Sequence, residues 1–153
     1  MHFCGALCGL GAALLAASVA AALTGCSGAP DAAATAMAEG QAVVTVGSTV
    51  SLVKAGTVVR AEKNAQTSVR LNTAKLTIHC SGDTARLTIE GHDGDVTVDN
   101  DCGTTTVRGT SNLVSLMNVQ ALAVGGRRNL VDYLGTGTST PQIAGVDNTI
   151  IQR

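Results

Sequence analysis

Aromatic side chains are almost missing from this chain: 153 residues include no Trp, one Tyr and one Phe. The Phe is Phe3, inside an apolar leader, so the remainder has a single ring, Tyr133, with which to stack a base or a sugar. That argues against carbohydrate and single-stranded nucleic acid as ligands. Charge is scarce too. Charged residues make up 14% of the chain and the formal net charge is -1, so no global field draws in a polyanion or an anionic bilayer. Nucleic acid is not an expected partner. Glycine is abundant, 18 residues set among Val, Ile, Leu and Thr, which is the chemistry of short strands and tight turns. The length is that of about one ordinary domain. The expectation is one all-β domain.

From Phe3 to Leu23 no Asp, Glu, Lys or Arg interrupts a run of apolar and small residues, which ends in Leu23-Thr24-Gly25-Cys26 and turns polar at Ser27. This is the pattern of a signal peptide. Roughly 20 apolar residues also suffice to cross a bilayer, but the Gly and Ala content makes a poor stop-transfer helix. Leu23 to Cys26 resembles the lipobox of bacterial lipoproteins, in which a small residue before cysteine permits cleavage and diacylglycerol is attached to the thiol. The resemblance implies a cut after Gly25, lipid on Cys26, and a protein held on the outer face of the cell membrane. A plain signal peptide, or an uncleaved anchor with an incidental cysteine, is the competing reading. All three export the domain. Residues 1–25 are therefore read as a lipoprotein signal peptide, 26–40 as the lipidated cysteine with an Ala-rich flexible tether, and 41–153 as the β-rich domain. A coil of that length holds the domain roughly 20 Å from the membrane.

Five cysteines sort by position. Cys4 and Cys8 fall in the signal peptide and Cys26 takes lipid, which leaves Cys80 and Cys102 in a compartment where disulfides persist. They are expected to pair. The alternative is a metal site, for which two cysteines without CxxC spacing, with His79 and His92 as the nitrogen donors, make a poor zinc set. No metal or other cofactor is expected.

From Lys75 onward, apolar alternations recur at Leu76/Ile78, Leu87/Ile89, Val96/Val98, Thr105/Val107, Val114/Leu116, Leu122/Val124 and around Leu130. Turn residues fall at Gly91, Asn100, Gly109, Asn118, Gly126 and Gly135, so the beat is about nine residues, one short strand plus one tight corner. This period predicts a small β-solenoid, in which stacked rungs bury a continuous Val/Ile/Leu core too narrow for aromatic rings. An antiparallel β-sandwich is the alternative. Asn112, Asn129 and Asn148 each precede an apolar pair, where asparagine either tolerates a left-handed corner or stacks its amide along the coil. Upstream, Ala42 to Val46, Val50 to Val53 and Val58 to Arg60 read as three strands that cap the open end. Gly135 to Thr140 reads as a loop, and Pro141 to Arg153 as the final pairings.

The units Cys80-Ser-Gly-Asp83, Leu87-Thr-Ile-Glu-Gly91, Val96-Thr-Val98, Cys102, Thr106-Val-Arg-Gly109 and Gly145-Val-Asp-Asn-Thr149 resemble those of actinobacterial, mycobacterial-type lipoproteins carrying the domain of unknown function 3060. The likeness covers roughly residues 75–153, the repeat-bearing part. It implies a small exported β-domain and no particular activity.

Candidate chemistry is thin. His92-Asp93-Gly94-Asp95 and Asp99-Asn100-Asp101 offer the oxygen ligands calcium takes, but they match no EF-hand and fall at successive turns. His79 and His92 have no nucleophile elbow near them in sequence. Arg108 with Arg127-Arg128 reads as a solvated face, and Gly135-Thr-Gly137 lacks the Lys of a phosphate loop. No catalytic residue is assigned. The function expected is a membrane-anchored, non-enzymatic envelope module that binds an envelope protein or cell-wall partner along a flat face, marked by exposed Thr/Val ladders. The alternative is a ligand carrier or hydrolytic envelope enzyme, which requires a concave pocket with convergent polar groups.

Overall fold

Most strands of this chain alternate an apolar residue with a polar one, so each buries a single side. In the computed structural model, which describes residues 37–135 and 139–153, twelve strands form. They are β1 Gln41–Val46, β2 Thr49–Lys54, β3 Val58–Ala61, β4 Gln66–Asn72, β5 Lys75–Cys80 and β6 Gly82–His92, then β7 Asp95–Asp99, β8 Cys102–Val107, β9 Leu113–Val124, β10 Leu130–Gly135, β11 Gln142–Ile143 and β12 Thr149–Gln152. The signal peptide, Cys26, most of the tether and the middle of the Gly135–Thr140 loop lie outside the described residues.

The strands wind into a β-solenoid of about five turns. A first wall stacks β3, β5, β7, the first half of β9, β10 and β12 in parallel register. A second wall stacks β4, β6, β8, the second half of β9 and β11, also parallel. Residues paired in parallel lie 16 to 20 positions apart, as in Val114 opposite Val131 and Leu76 opposite Val96. The nine-residue beat is therefore one wall, and two beats make one turn. A sandwich does not form, because antiparallel pairing is confined to β1, which joins β2 on one side and β4 on the other.

Each named alternating pair from Leu76/Ile78 to Leu122/Val124 points inward and is buried. Around Leu130 the inward residue is Val131, and Leu130 itself faces out. Tyr133 closes the core of the β10 rung, the one ring that the interior admits.

Two upstream assignments change. The cap is the hairpin β1–β2, whereas β3 is the first rung of the first wall, parallel to β5. β4 was not legible as a strand at all, so the repeating part begins near Val58 rather than at Lys75. Thr67 takes an inward position of β4 where an apolar residue would have signalled the pattern.

Candidate functional site

One corner of the solenoid repeats with little variation. Gly91, Gly109, Gly126 and Gly145 all have positive φ and stack so closely that a Cβ on any of the last three would collide with the carbonyl oxygen of the glycine one turn earlier. Two residues further on, Asp93, Ser111, Arg128 and Asp147 take the left-handed conformation. The asparagines that follow do not occupy that conformation themselves. They stack. Asn112 Oδ1 accepts from the Gly94 N–H at 3.0 Å, Asn129 Oδ1 from the Asn112 N–H at 3.1 Å, and Asn148 Oδ1 from the Asn129 N–H at 3.0 Å. Asn112 Nδ2 also donates to Asn129 Oδ1, and Asn129 Nδ2 to Asn148 Oδ1, each at 3.0 Å. Further Nδ2 bonds reach the carbonyls of Gly91, Gly109 and Gly126, so Asn112 and Asn129 tie their own corners to both neighbours and Asn148 ties its corner to the preceding one. Asn112 and Asn129 are buried and fully engaged, which is how a polar group is tolerated there.

The opposite corner is irregular. β6 and β8 slip register between Gly82 and Arg86, a bulge that inserts Asp83 to Ala85. A disulfide joins Cys80, at the end of β5, to Cys102, at the start of β8, with Cα atoms 5.4 Å apart. The bond staples two successive turns. A depression of about 510 Å³ lies over the bulge, with Asn64, Gln66, Asp83 and Arg86 at its rim.

The columns on the outer surface of the first wall change character along the axis. The central column runs Thr77, Thr97, Ser115, Asp132, Ile151. On one side of it Lys75 pairs with Asp95 at 2.9 Å, and the same column continues as Leu113 and Leu130. On the other side His79 pairs with Asp99 at 3.5 Å, and the strands beyond present Met117 and Leu134. Five aliphatic side chains, Leu113, Met117, Leu130, Leu134 and Ile151, thus lie exposed over the last three rungs, the least open of them at 37%. Between them Arg153 donates to Asp132 Oδ1 at 2.7 Å and to Ser115 Oγ at 3.0 Å. Neighbouring rungs are about 4.8 Å apart, so Leu113 with Leu130 and Met117 with Leu134 form two aliphatic columns, one on each side of the polar line of Ser115, Asp132 and Arg153, and Ile151 ends that line. A Thr ladder is present, as Thr77, Thr97 and Ser115, but the exposed aliphatics are Leu, Met and Ile, because most valines of the rungs point inward.

The other candidates separate. His79 contacts Asp99, and His92 contacts its neighbour Asp93 at 3.2 Å. His92, Asp93 and Asp95 flank one corner while Asp99 to Asp101 flank the opposite one. Among the described residues no group of three or more His, Cys, Asp or Glu gathers to hold a metal ion. Arg127 lies beside Thr110 in an isolated bridge at the glycine corner, with Arg128 next to it. The aliphatic columns were missed in sequence although naming Val114/Leu116 as the inward pair already turned Leu113 and Met117 outward; only around Leu130 was the parity open. Their signal was the recurrence of Leu113 and Leu130 one turn apart.

Residues 89–144, which span the glycine corners from Gly91 to Gly126 and the asparagines Asn112 and Asn129, match a family described as "Protein of unknown function (DUF3060)". No curated protein and no solved structure matches the chain.

Proposed function

We propose that this chain is an exported lipoprotein of the actinobacterial kind, carried on the outer face of the cell membrane by lipid on Cys26, and that its solenoid is a non-enzymatic module that binds a protein of the cell envelope. The observation that carries the binding role is the exposure of the aliphatic columns, Leu113 with Leu130 and Met117 with Leu134, and of Ile151 on the first parallel wall. Aliphatic side chains repeated from rung to rung on either side of a hydrogen-bonded polar line leave apolar area in water that a partner protein would cover, and they offer polar groups to orient it. Support for export comes from the uncharged leader ending at Leu23-Thr-Gly-Cys26 and from a disulfide suited to an oxidising compartment.

Two measurements on the native envelope test the reading. Mass spectrometry of the amino-terminal peptide should find it beginning at Cys26 with a diacylglycerol mass added. A photo-cross-linking residue at position 134, in one of the columns, should capture one protein reproducibly, and the same probe at position 88, on the outer surface of the second wall, should not. An unmodified Cys26 would remove the anchor, and equal capture from both positions would remove the binding face.

A further inference from the structure

The segment that leads back to Cys26 meets the solenoid at one particular corner. Asn72, at the end of β4, donates from Nδ2 to the Met37 carbonyl at 2.9 Å, and its own carbonyl accepts from the Gly40 N–H. Asn72 belongs to the glycine corner, since it lies beside His92 in a column that continues as Thr110 and Arg127. Thr73, Asp93, Ser111 and Arg128 form the neighbouring column of left-handed residues. Met37 is therefore held on the same edge of the molecule as Arg127 and Arg128.

Positive charge gathers on that edge. Arg108 directly precedes Gly109, and Arg127 directly follows Gly126, the glycine stacked against Gly109. Arg108, Arg127 and Arg128 are all exposed, and among the described residues none of the three makes an ion pair. Of the carboxylates nearby, Glu90 pairs with Arg70 at 3.9 Å and Asp93 lies 3.2 Å from His92, which leaves Asp147, one turn beyond Arg128. Three cations thus face one free carboxylate, in a chain whose formal net charge is -1.

We infer that the glycine corner lies against the anionic headgroups of the membrane, with Arg108, Arg127 and Arg128 donating to lipid phosphates. Guanidinium groups pair with phosphate in a two-pronged geometry and give up water readily, which suits them to a headgroup layer. Arg127 is three rungs from Asn72, about 14 Å along the axis, and the chain from Cys26 to Met37 spans up to about 40 Å when extended. Lipid on Cys26 and the arginines therefore reach one surface together. Three arginines are too few to hold a free domain on a bilayer, but a short tether makes their binding intramolecular, so each adds to a contact that is already local. The contact fixes how the module stands. Both walls rise from the membrane. Leu113 and Leu130 lie near it, because they directly follow the corner asparagines, and Met117, Leu134 and the disulfide corner lie farther out. This inference rests on the lipid-anchor reading and adds an orientation to the binding face.

The test uses the full chain purified from its envelope, with one cysteine added for a fluorescent label: Ser111→Cys in this corner, or Lys63→Cys between β3 and β4 at the opposite one. Each is placed in vesicles of phosphatidylcholine, alone or mixed with phosphatidylglycerol, that carry a trace of lipid with a nitroxide quencher on its headgroup. In the anionic vesicles the label at 111 should be quenched and the label at 63 should not. That difference should vanish in Arg127→Glu with Arg128→Glu and survive in Arg127→Lys with Arg128→Lys. It should vanish as well at about 1 M salt, where the screening length falls to about 3 Å. Equal quenching at the two positions, a difference that neutral vesicles share, or one that the glutamates leave intact overturns the proposal. Flotation with the neutral vesicles reads the anchor separately. A chain that floats without the quenching difference loses this proposal alone, whereas one that does not float loses the anchor and this proposal with it.

Discussion

The turns that precede Asn112 and those that begin at it are held together by different means. Upstream, the corner position that carries asparagine elsewhere is Ala74 and then Gly94, neither of which has an amide to stack. Those are the two turns joined by Cys80–Cys102 and finished by the β1–β2 hairpin. Downstream, Asn112, Asn129 and Asn148 bind each turn to the next without a covalent link. On the outer surface of the first wall, Lys75–Asp95 and His79–Asp99 pair across rungs upstream, whereas downstream aliphatic columns flank the single pair Arg153–Asp132. A staple fixes two turns once, whereas a side-chain stack is a template that the next strand can join. The half built on the template is the half whose outer face carries the aliphatic columns.

Breaking the template should cost most. Gly109→Ala places a Cβ against the Gly91 carbonyl at a φ of 116°, so the two turns must part, and the loss should exceed about 4 kcal/mol, read as failure to fold or as a collapsed denaturant midpoint. Opening the staple comes next. Cys80→Ala with Cys102→Ala frees a loop of sequence separation 22 and should cost about 3 kcal/mol in the chain-entropy account. Hydrogen exchange should locate the damage: amides of β5 to β8 lose protection while those of β9 and β10 keep theirs. Uniform loss of protection would mean that the two halves unfold as one unit and that the division is only visual.

Asn129→Ala should cost about 2–3 kcal/mol, because it strips an acceptor from the buried Asn112 N–H and amide, takes the side-chain donor from the part-buried Gly125 carbonyl, and leaves the Gly109 carbonyl with the Arg127 N–H alone. Asn148→Ala, at the half-exposed end of the stack, should cost about 1 kcal/mol, since water can replace what is lost. Urea titration of both variants measures the gradient. Equal costs would show that the amides do not act as a stack.

Most of the interior was legible in the sequence, because alternation fixes which side of a strand is apolar and the recurrence of Gly and Asn fixes the corners. The pairing of walls was not. A beat of nine fits one strand per rung or two, and only the register of Val114 on Val131, with β8 on the second half of β9, decides for two. β4 escaped because Val69 and Leu71 were its two apolar inward residues and Thr67 filled the third. The asparagine spacing was visible and was left with two roles open; the backbone separated them by giving the left-handed turn to Ser111, Arg128 and Asp147 instead. The outward aliphatic columns needed the pairing of walls as well: alternation turned Leu113 and Met117 outward, but only the register sets Leu113 beside Leu130 on the same face.

The same substitution that hid β4 offers the mildest way to sharpen the comparison. Thr67 and Thr105 are wholly buried in the second wall, in the inward column that Leu87 and Leu122 also occupy, and neither hydroxyl has a hydrogen-bond partner. A buried hydroxyl with no partner costs free energy that a methyl group of nearly the same volume does not. Thr67→Val and Thr105→Val should therefore each stabilise the fold, by about 1 kcal/mol, seen as a raised midpoint with an unchanged denaturant slope. Both residues sit in the stapled half, β4 and β8, so the gain bears on why that half carries a covalent bond. If the disulfide offsets a weaker core, the two valines together should restore more than half of the stability lost on removing Cys80–Cys102. If they raise the intact protein but leave the disulfide-free variant as unstable as before, the staple serves the bulged register at Asp83 to Ala85 rather than the core beneath it.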